Sequence, residues 1–263
     1  MKAVTINTLN DIKHAGDKFA VLTAYDSAFA RQVELAGIEA LLIGDSLGNV
    51  VLGYDSTVPV SMDDMVHHTA AVARGNHKSL LIADLPFMAY ATPEQTLSNS
   101  ARLMQAGAQM VKLEGGEWLC PSVRMLADRG IPVCGHLGLT PQSFNKLGGY
   151  RVQGRDEAGA EQIVLDARRL QDAGADLLVL ECVPTQLATR ITKALTIPVI
   201  GIGAGPNTDA QVLVLYDMLG ISPRVPQFTH NFLAETGDIQ GALMAYAEAV
   251  RSGTFPRPEH SFK

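Results

Sequence analysis

The chain has 263 residues, 47% hydrophobic and only 18% charged, so it carries enough apolar area for a large core and is not a disordered polymer. Its 21 Lys and Arg against 27 Asp and Glu give a formal charge of −6, the wrong sign for a nucleic-acid binder, which needs a basic face to meet phosphates. The three cysteines, Cys120, Cys134 and Cys182, form no Cys-x-x-Cys pair and fit a reduced, cytoplasmic protein better than a disulfide scaffold or a zinc site.

Met1 to Asn10 holds one lysine and no long apolar core, so no secretory signal is expected there. No apolar run reaches the roughly 18 residues of a membrane span. Short runs rich in Val, Leu and Ile then recur at Phe19 to Asp26, Ala40 to Ser46, Leu80 to Phe87, Met110 to Gly116, Pro132 to Leu139, Leu177 to Pro184, Ile197 to Gly205 and Gln211 to Gly220. Near-continuous apolar runs of this length are how strands covered on both faces of a parallel sheet read. The last is ambiguous, since 209–219 also reads as helix. Polar stretches with helical spacing, such as Pro93 to Gln105 and Glu157 to Gln171, separate the runs.

Ala36-Gly37, Ala106-Gly107 and Ala173-Gly174 each close a helical stretch, and each precedes an apolar run ending in an acid: Asp45, Glu114 and Glu181. Glycine just past a helix supplies the positive φ that stops it. Repeated helix, glycine, strand and acid is a βα module. About eight such strands in a chain of this length, without a linker or low-complexity tract, predict a single (β/α)8 TIM barrel, which needs about 250 residues. A short N-terminal helical segment is expected before it, and a C-terminal helix and tail after it. Phe255-Pro256-Arg257-Pro258 cannot continue a helix, so the final residues are expected on the surface or on a neighbouring subunit.

Barrel chemistry happens at the carboxyl ends of the strands. Asp45, Asp84, Glu114, His136 and Glu181 fall there, with Lys112 two residues before Glu114 and so on the same strand face. A lysine inside a barrel needs a counter-charge, so Lys112 is either functional or half of a structural pair with Glu114. Asp45, Asp84 and Glu114 end consecutive strands; converging carboxylates repel and want a cation, and an oxygen-only set favours Mg²⁺ or a similar hard ion. The alternative is that Asp45 and Asp84 merely cap the following helices. Glu181, walled by Leu180, Cys182 and Val183, has the setting of a general base with a raised pKa, or else of a salt-bridged structural Glu. His136 reads equally as a hydrogen-bond donor to a substrate oxygen and as a core histidine.

Other motifs are weak. Gly201-Ile202-Gly203-Ala204-Gly205 lacks the Gly-x-Gly-x-x-Gly spacing and reads as a strand end where backbone approaches something closely. His67-His68 has no metal spacing and reads as solvated or supporting histidines. Ser27 and Ser46 lack a Gly-x-Ser-x-Gly elbow, which argues against a serine hydrolase.

Seven blocks in order carry a resemblance. They are Asp45-Ser46-Leu47-Gly48, Ala83 to Phe87, Val111 to Gly116, Gly135 to Gln142, Gly148 to Arg155, Leu180 to Pro184 and Gly201 to Gly205. Together they resemble the ketopantoate (3-methyl-2-oxobutanoate) hydroxymethyltransferases over nearly the whole chain. Ala210 in Asp209-Ala210-Gln211, and Gln227 before Phe228, depart from the family pattern outside the acid cluster. The resemblance implies a (β/α)8 barrel that moves a one-carbon unit from 5,10-methylenetetrahydrofolate to 3-methyl-2-oxobutanoate, giving 2-dehydropantoate on the route to pantothenate. It implies Mg²⁺ on Asp45 and Asp84, with Glu114 supporting the metal directly or through water. It also implies Glu181 as base, Ser46 and Lys112 as oxoacid-binding residues, and a homo-oligomer, a decamer in that family. Charge on a folate tail could meet Lys146, Arg151 and Arg155, unless these are simply solvated. The rival readings are a Mg²⁺-dependent 2-oxoacid lyase or mutase of the phosphoenolpyruvate mutase/isocitrate lyase type, in which a Lys-Cys-Gly-His loop is common where this chain has Gly115-Gly116-Glu117-Trp118, and a barrel that only binds a ligand.

Overall fold

A computed structural model describes residues 3–263. Met1 and Lys2, the start of the segment tested for a signal, lie outside them. Eight parallel strands close into a barrel in sequence order. They are β1 (Phe19–Thr23), β2 (Ala40–Ile43), β3 (Leu80–Asp84), β4 (Met110–Glu114), β5 (Val133–Gly138), β6 (Leu177–Glu181), β7 (Val199–Ile202) and β8 (Ala210–Leu213). Each lies within or at the edge of an expected run. The eighth is shorter than Gln211 to Gly220: pairing with β1 and β7 ends at Leu213, and Leu215–Met218 turns helical after the Leu215 amide donates to Thr23 Oγ1 at 2.9 Å.

The helices start where side chains satisfy their first amides. Asp26, Thr92, Asp156 and Asp238 each accept from a backbone N–H three residues on, and Ser61 closes a reciprocal capping box with Asp64. Glycine is required at the Ala-Gly stops for two reasons. Gly107 and Gly174 take φ of 113° and 108°, and a Cβ there would fall 2.5 Å and 2.7 Å from the methyls of Ala73 and Ala127 on neighbouring helices. Glycine therefore supplies both the turn and the close packing.

The N-terminal helix Ile6–Ala15 is anchored at the entry to β8, where Lys13 pairs with Asp209 at 2.8 Å. The C-terminal helix Ile239–Arg251 covers the seam that closes the barrel, with Tyr246 Oη donating to Val21 O on β1 and Gln211 O on β8. The tail follows expectation only in part: Arg257, Pro258, Glu259 and Lys263 are exposed, but other residues pack inward. Phe255 and His260 are buried within this chain, and the Phe262 carbonyl accepts from the Thr185 amide and hydroxyl. Gly203 leaves room for it: a Cβ at φ 60° would meet Phe228 and Phe262. The close approach expected at Gly201 to Gly205 is thus to the chain's own side chains, Thr208 at Gly201, the two aromatic residues at Gly203 and Thr185 at Gly205.

One side chain from each strand forms a ring across the barrel: Val21, Leu42, Ile82, Lys112, Cys134, Val179, Ile200 and Val212. Strand side chains alternate, so the next inward layer lies two residues further on. That layer carries Gly44, Asp84, Glu114, His136 and Glu181, and it floors a cavity of about 750 Å³ at the carboxyl end of the barrel. No described helix is long and apolar enough to cross a membrane.

Candidate active site

The register of the sheet decides which groups meet. Asp84 on β3 is paired with Lys112 on β4, and Glu114 with His136 on β5. Lys112 Nζ accordingly lies 2.8 Å from Asp84 Oδ1 and 3.9 Å from Glu114 Oε1, so its main partner is Asp84 rather than Glu114. Lys112 is 4% exposed. Burial pushes its pKa down, but Asp84, Glu114 and Asp45 outweigh this and raise it, so it stays charged.

Asp45 lies two residues past β2, in the turn before the helix Leu47–Val50, and not at the strand's last position. Neither aspartate is a helix cap. Asp84 Oδ2 accepts from the Asp45 amide at 3.1 Å, and Asp45 Oδ2 accepts from Gln142 Nε2 at 2.8 Å. Burial, then Asp84 and Glu114, push the Asp45 carboxyl well above its ordinary value. Burial, with Asp84 adding and Lys112 opposing, pushes Glu114 up to about 7. The cluster therefore holds more negative charge than Lys112 alone offsets. Glu114 Oε1 is buried without a hydrogen bond, and Asp45 Oδ1 takes none from any described residue. No three His, Cys, Asp or Glu side chains among the described residues are gathered as a ready metal-ligand group. An ion here would take one or two carboxylates and complete its shell with other oxygens, which is the habit of Mg²⁺.

Glu181 ends β6 across the cavity, its backbone held by Leu139 N at 2.8 Å, its side chain 13% exposed. Burial raises its pKa, and His136 partly opposes that. His136 spans the two walls, Nδ1 3.3 Å from Glu114 Oε1 and Nε2 3.2 Å from Glu181 Oε2. Burial and Lys112 lower its pKa, so it is a neutral ring facing the cavity between two carboxylates, not packed in an apolar core. Ser46 lines the cavity, and its hydroxyl meets Tyr25 Oη at 2.9 Å. Gly44 makes that possible: a Cβ there would sit 2.7 Å from Ser46 Oγ. His68, one of the histidine pair, holds the Tyr25 carbonyl through Nδ1 at 2.6 Å. Lys146, Arg151 and Arg155 are not in the cavity wall, which takes Tyr150 from their loop.

Two residues at the site gave no signal of their own in the sequence. Tyr25 positions Ser46. Gln142 is buried and donates from its amide N to Glu114 Oε2 at 3.0 Å, and from its side chain to Asp45 Oδ2 and to Leu85 O at 2.9 Å. Its Oε1 accepts from Tyr90 Oη.

The family model of ketopantoate hydroxymethyltransferase matches residues 3–258. The chain belongs to the ketopantoate hydroxymethyltransferase family. As a member it is an enzyme, a hydroxymethyltransferase. It is 61% identical to the 3-methyl-2-oxobutanoate hydroxymethyltransferase of Saccharophagus degradans, over 99% of this chain and 97% of that one. It is 60% identical to that of Stutzerimonas stutzeri, over 100% and 99%. Among solved structures it resembles phosphonopyruvate hydrolase in complex with oxalate and Mg²⁺ (TM-score 0.63, 14% identity, 98% of this chain and 93% of that one). It also resembles 2,3-dimethylmalate lyase, a PEP mutase/isocitrate lyase superfamily member (TM-score 0.59, 19% identity, 82% of each). At those identities the likeness is one of fold, so the lyase or mutase reading shares this family member's barrel but not its sequence.

Proposed function

We propose that this family member transfers a one-carbon unit from 5,10-methylenetetrahydrofolate to 3-methyl-2-oxobutanoate, forming 2-dehydropantoate, with Glu181 as the base. The observation that carries the reading is the facing pair of walls: Glu181 opens into the cavity opposite Asp45, Asp84 and Glu114, with Lys112 between the acids at the floor. The donor set fits Mg²⁺ or a similar hard divalent ion on Asp45 and Asp84, with Glu114 supporting it directly or through water. Such an ion supplies Lewis acidity to the carboxylate and keto oxygens of a 2-oxoacid.

The chain's own residues do the rest. Ser46 and Lys112 bind the oxoacid's oxygens, and the Lys112 ammonium stands where negative charge grows as the C3 proton leaves. Glu181 takes that proton; its raised pKa keeps it basic enough to do so near neutrality. The neutral His136 ring orients Glu181 and offers a polar edge to the substrate. The electron pair left at C3 then bonds the one-carbon unit; across the whole reaction both of its C–N bonds break, a water molecule supplies the product's hydroxyl oxygen, and tetrahydrofolate leaves with protons on N5 and N10.

The test is solvent exchange at C3 of 3-methyl-2-oxobutanoate, followed by NMR in D2O with Mg²⁺ and without folate. Exchange that disappears in Glu181→Gln supports the reading. A folded, metal-loaded protein that gives no exchange overturns it and leaves a barrel that only binds.

A further inference from the structure

The cavity extends well past the acid wall. It continues over β8 and β1, where Tyr216, Asp217, Ile221, Ser222 and Arg224 line it. A five-carbon oxoacid fills a small part of such a space; pockets of about 300–1,000 Å³ hold much larger ligands.

Asp217 stands out in this extension. It is only 7% exposed, and no lysine, arginine or histidine among the described residues pairs with it. The Ser222 hydroxyl, itself buried, lies beside the carboxyl and partly offsets the rise in pKa that burial causes. Its backbone is satisfied and fixed: the amide donates to Val214 O at 3.1 Å, and the carbonyl accepts from Gly220 N at 3.0 Å. A buried carboxylate with no cationic partner is costly to keep, and each of its oxygens can accept. The Tyr216 ring next to it is anchored edge-on against Tyr25 and Phe29, at 5.8 Å and 6.0 Å between centroids. Tyr25 in turn holds Ser46, so this arm of the cavity opens beside the oxoacid position.

We propose that Asp217 is the recognition contact for the one-carbon donor: its two carboxylate oxygens accept the paired N–H donors on the 2-amino-4-oxo edge of a reduced pterin, with the Ser222 hydroxyl as an added contact. This rests on the folate reading given above. The chemistry is specific. That edge presents a ring N–H and an exocyclic amine side by side, and a carboxylate is the side chain that accepts two parallel donors in a plane. A site built around that pair rejects a ligand lacking it, because the carboxylate is then left buried and unpaired.

The experiment measures tetrahydrofolate binding by calorimetry, with Mg²⁺ present, to the full chain and to Asp217→Asn. It adds a 2-desamino analogue of tetrahydrofolate and, on the same samples, folate-independent exchange at C3 of the oxoacid. The expected result is that Asp217→Asn weakens tetrahydrofolate about tenfold or more while exchange proceeds at the wild-type rate. The desamino analogue should bind the wild type about tenfold more weakly than tetrahydrofolate, a comparison that needs no variant and decides the matter where Asp217→Asn fails to fold. Unchanged affinity in the folded variant, or equal binding of the two ligands by the wild type, overturns the assignment. Loss of exchange in the wild type overturns the function proposed above instead, and absence of tetrahydrofolate binding overturns both.

Discussion

Lys112 and Asp84 stand side by side in register on β4 and β3, and their side chains meet at 2.8 Å, both buried. The pair is more than an ion pair, because Asp45 and Glu114 add their charge to the same ammonium. Lys112→Ala leaves three buried carboxylates with no counter-charge. Removing one partner of a buried pair typically costs about 3 kcal/mol or more. We expect the variant to melt earlier without metal, to regain part of the loss on adding Mg²⁺, and to bind 3-methyl-2-oxobutanoate at least about tenfold more weakly. Calorimetry of the oxoacid decides it: unchanged affinity removes Lys112 from the substrate site.

Glu181 supplies the second expectation. Its carboxyl is raised by burial above the ordinary 4.5, and only the ionised form is a base. The rate of C3 exchange should therefore be low in acid, rise with pH through that raised pKa, and level off above it. Glu181→Gln should keep oxoacid binding and lose about 10²–10⁴ in turnover, the usual worth of a positioned base. It should also lose the rising limb of the pH profile. A limb that survives in Glu181→Gln assigns the titration to another group.

Much of this is legible in the sequence alone. The strands read clearly because both faces of each are covered, which leaves runs such as Leu177 to Leu180 with no polar interruption. The position of the acids read clearly because an acid closing such a run has nowhere to go but the barrel mouth. The partner of Lys112 was harder. Spacing along one strand points to Glu114, whereas register across two strands selects Asp84. The end of β8 was ambiguous because 211–219 is apolar enough for either element. The role of Gln142, which closes one of the seven resembling blocks, was hidden for a different reason. A glutamine after Thr-Pro looks like a solvated turn, and its bonds reach back 28 residues to Glu114 and 97 to Asp45.

Gln142 gives the third expectation. It ties Asp45 and Glu114 together from the far side of the cluster and is held in turn by Tyr90. Gln142→Leu keeps the backbone bond to Glu114 but frees the Asp45 carboxylate, leaves Leu85 O without its donor and leaves Tyr90 Oη only the longer bond to Glu114 O at 3.3 Å. Loss of such an outer contact commonly costs about 10–100-fold in metal affinity. We expect a loss of that size for Mn²⁺ read by electron paramagnetic resonance, with oxoacid binding at saturating metal far less affected. Wild-type Mn²⁺ affinity in a folded Gln142→Leu protein would show that Asp45 is positioned by the chain turn alone.

Glu114 gives the last. Its carboxyl is held up to about 7 in the fold, against an ordinary value of 4.5, chiefly by burial. Between those two values the folded state keeps a proton that the unfolded chain has released, so stability falls as pH rises across the window. Above pH 7 the full cost of ionising Glu114 in place is present, and below 4.5 it is absent. Metal-free protein should accordingly melt at lower temperature as pH climbs from 4.5 to 7. A divalent ion reverses the sign of the local field, so saturating Mg²⁺ should flatten the slope. Glu114→Gln should make it shallower without metal, leaving the contribution of Asp45, whose carboxyl burial also raises. Thermal melts across the window, with and without Mg²⁺, test all three, and a wild-type melting temperature that rises through it would place the Glu114 charge in a solvated setting that the buried cluster excludes.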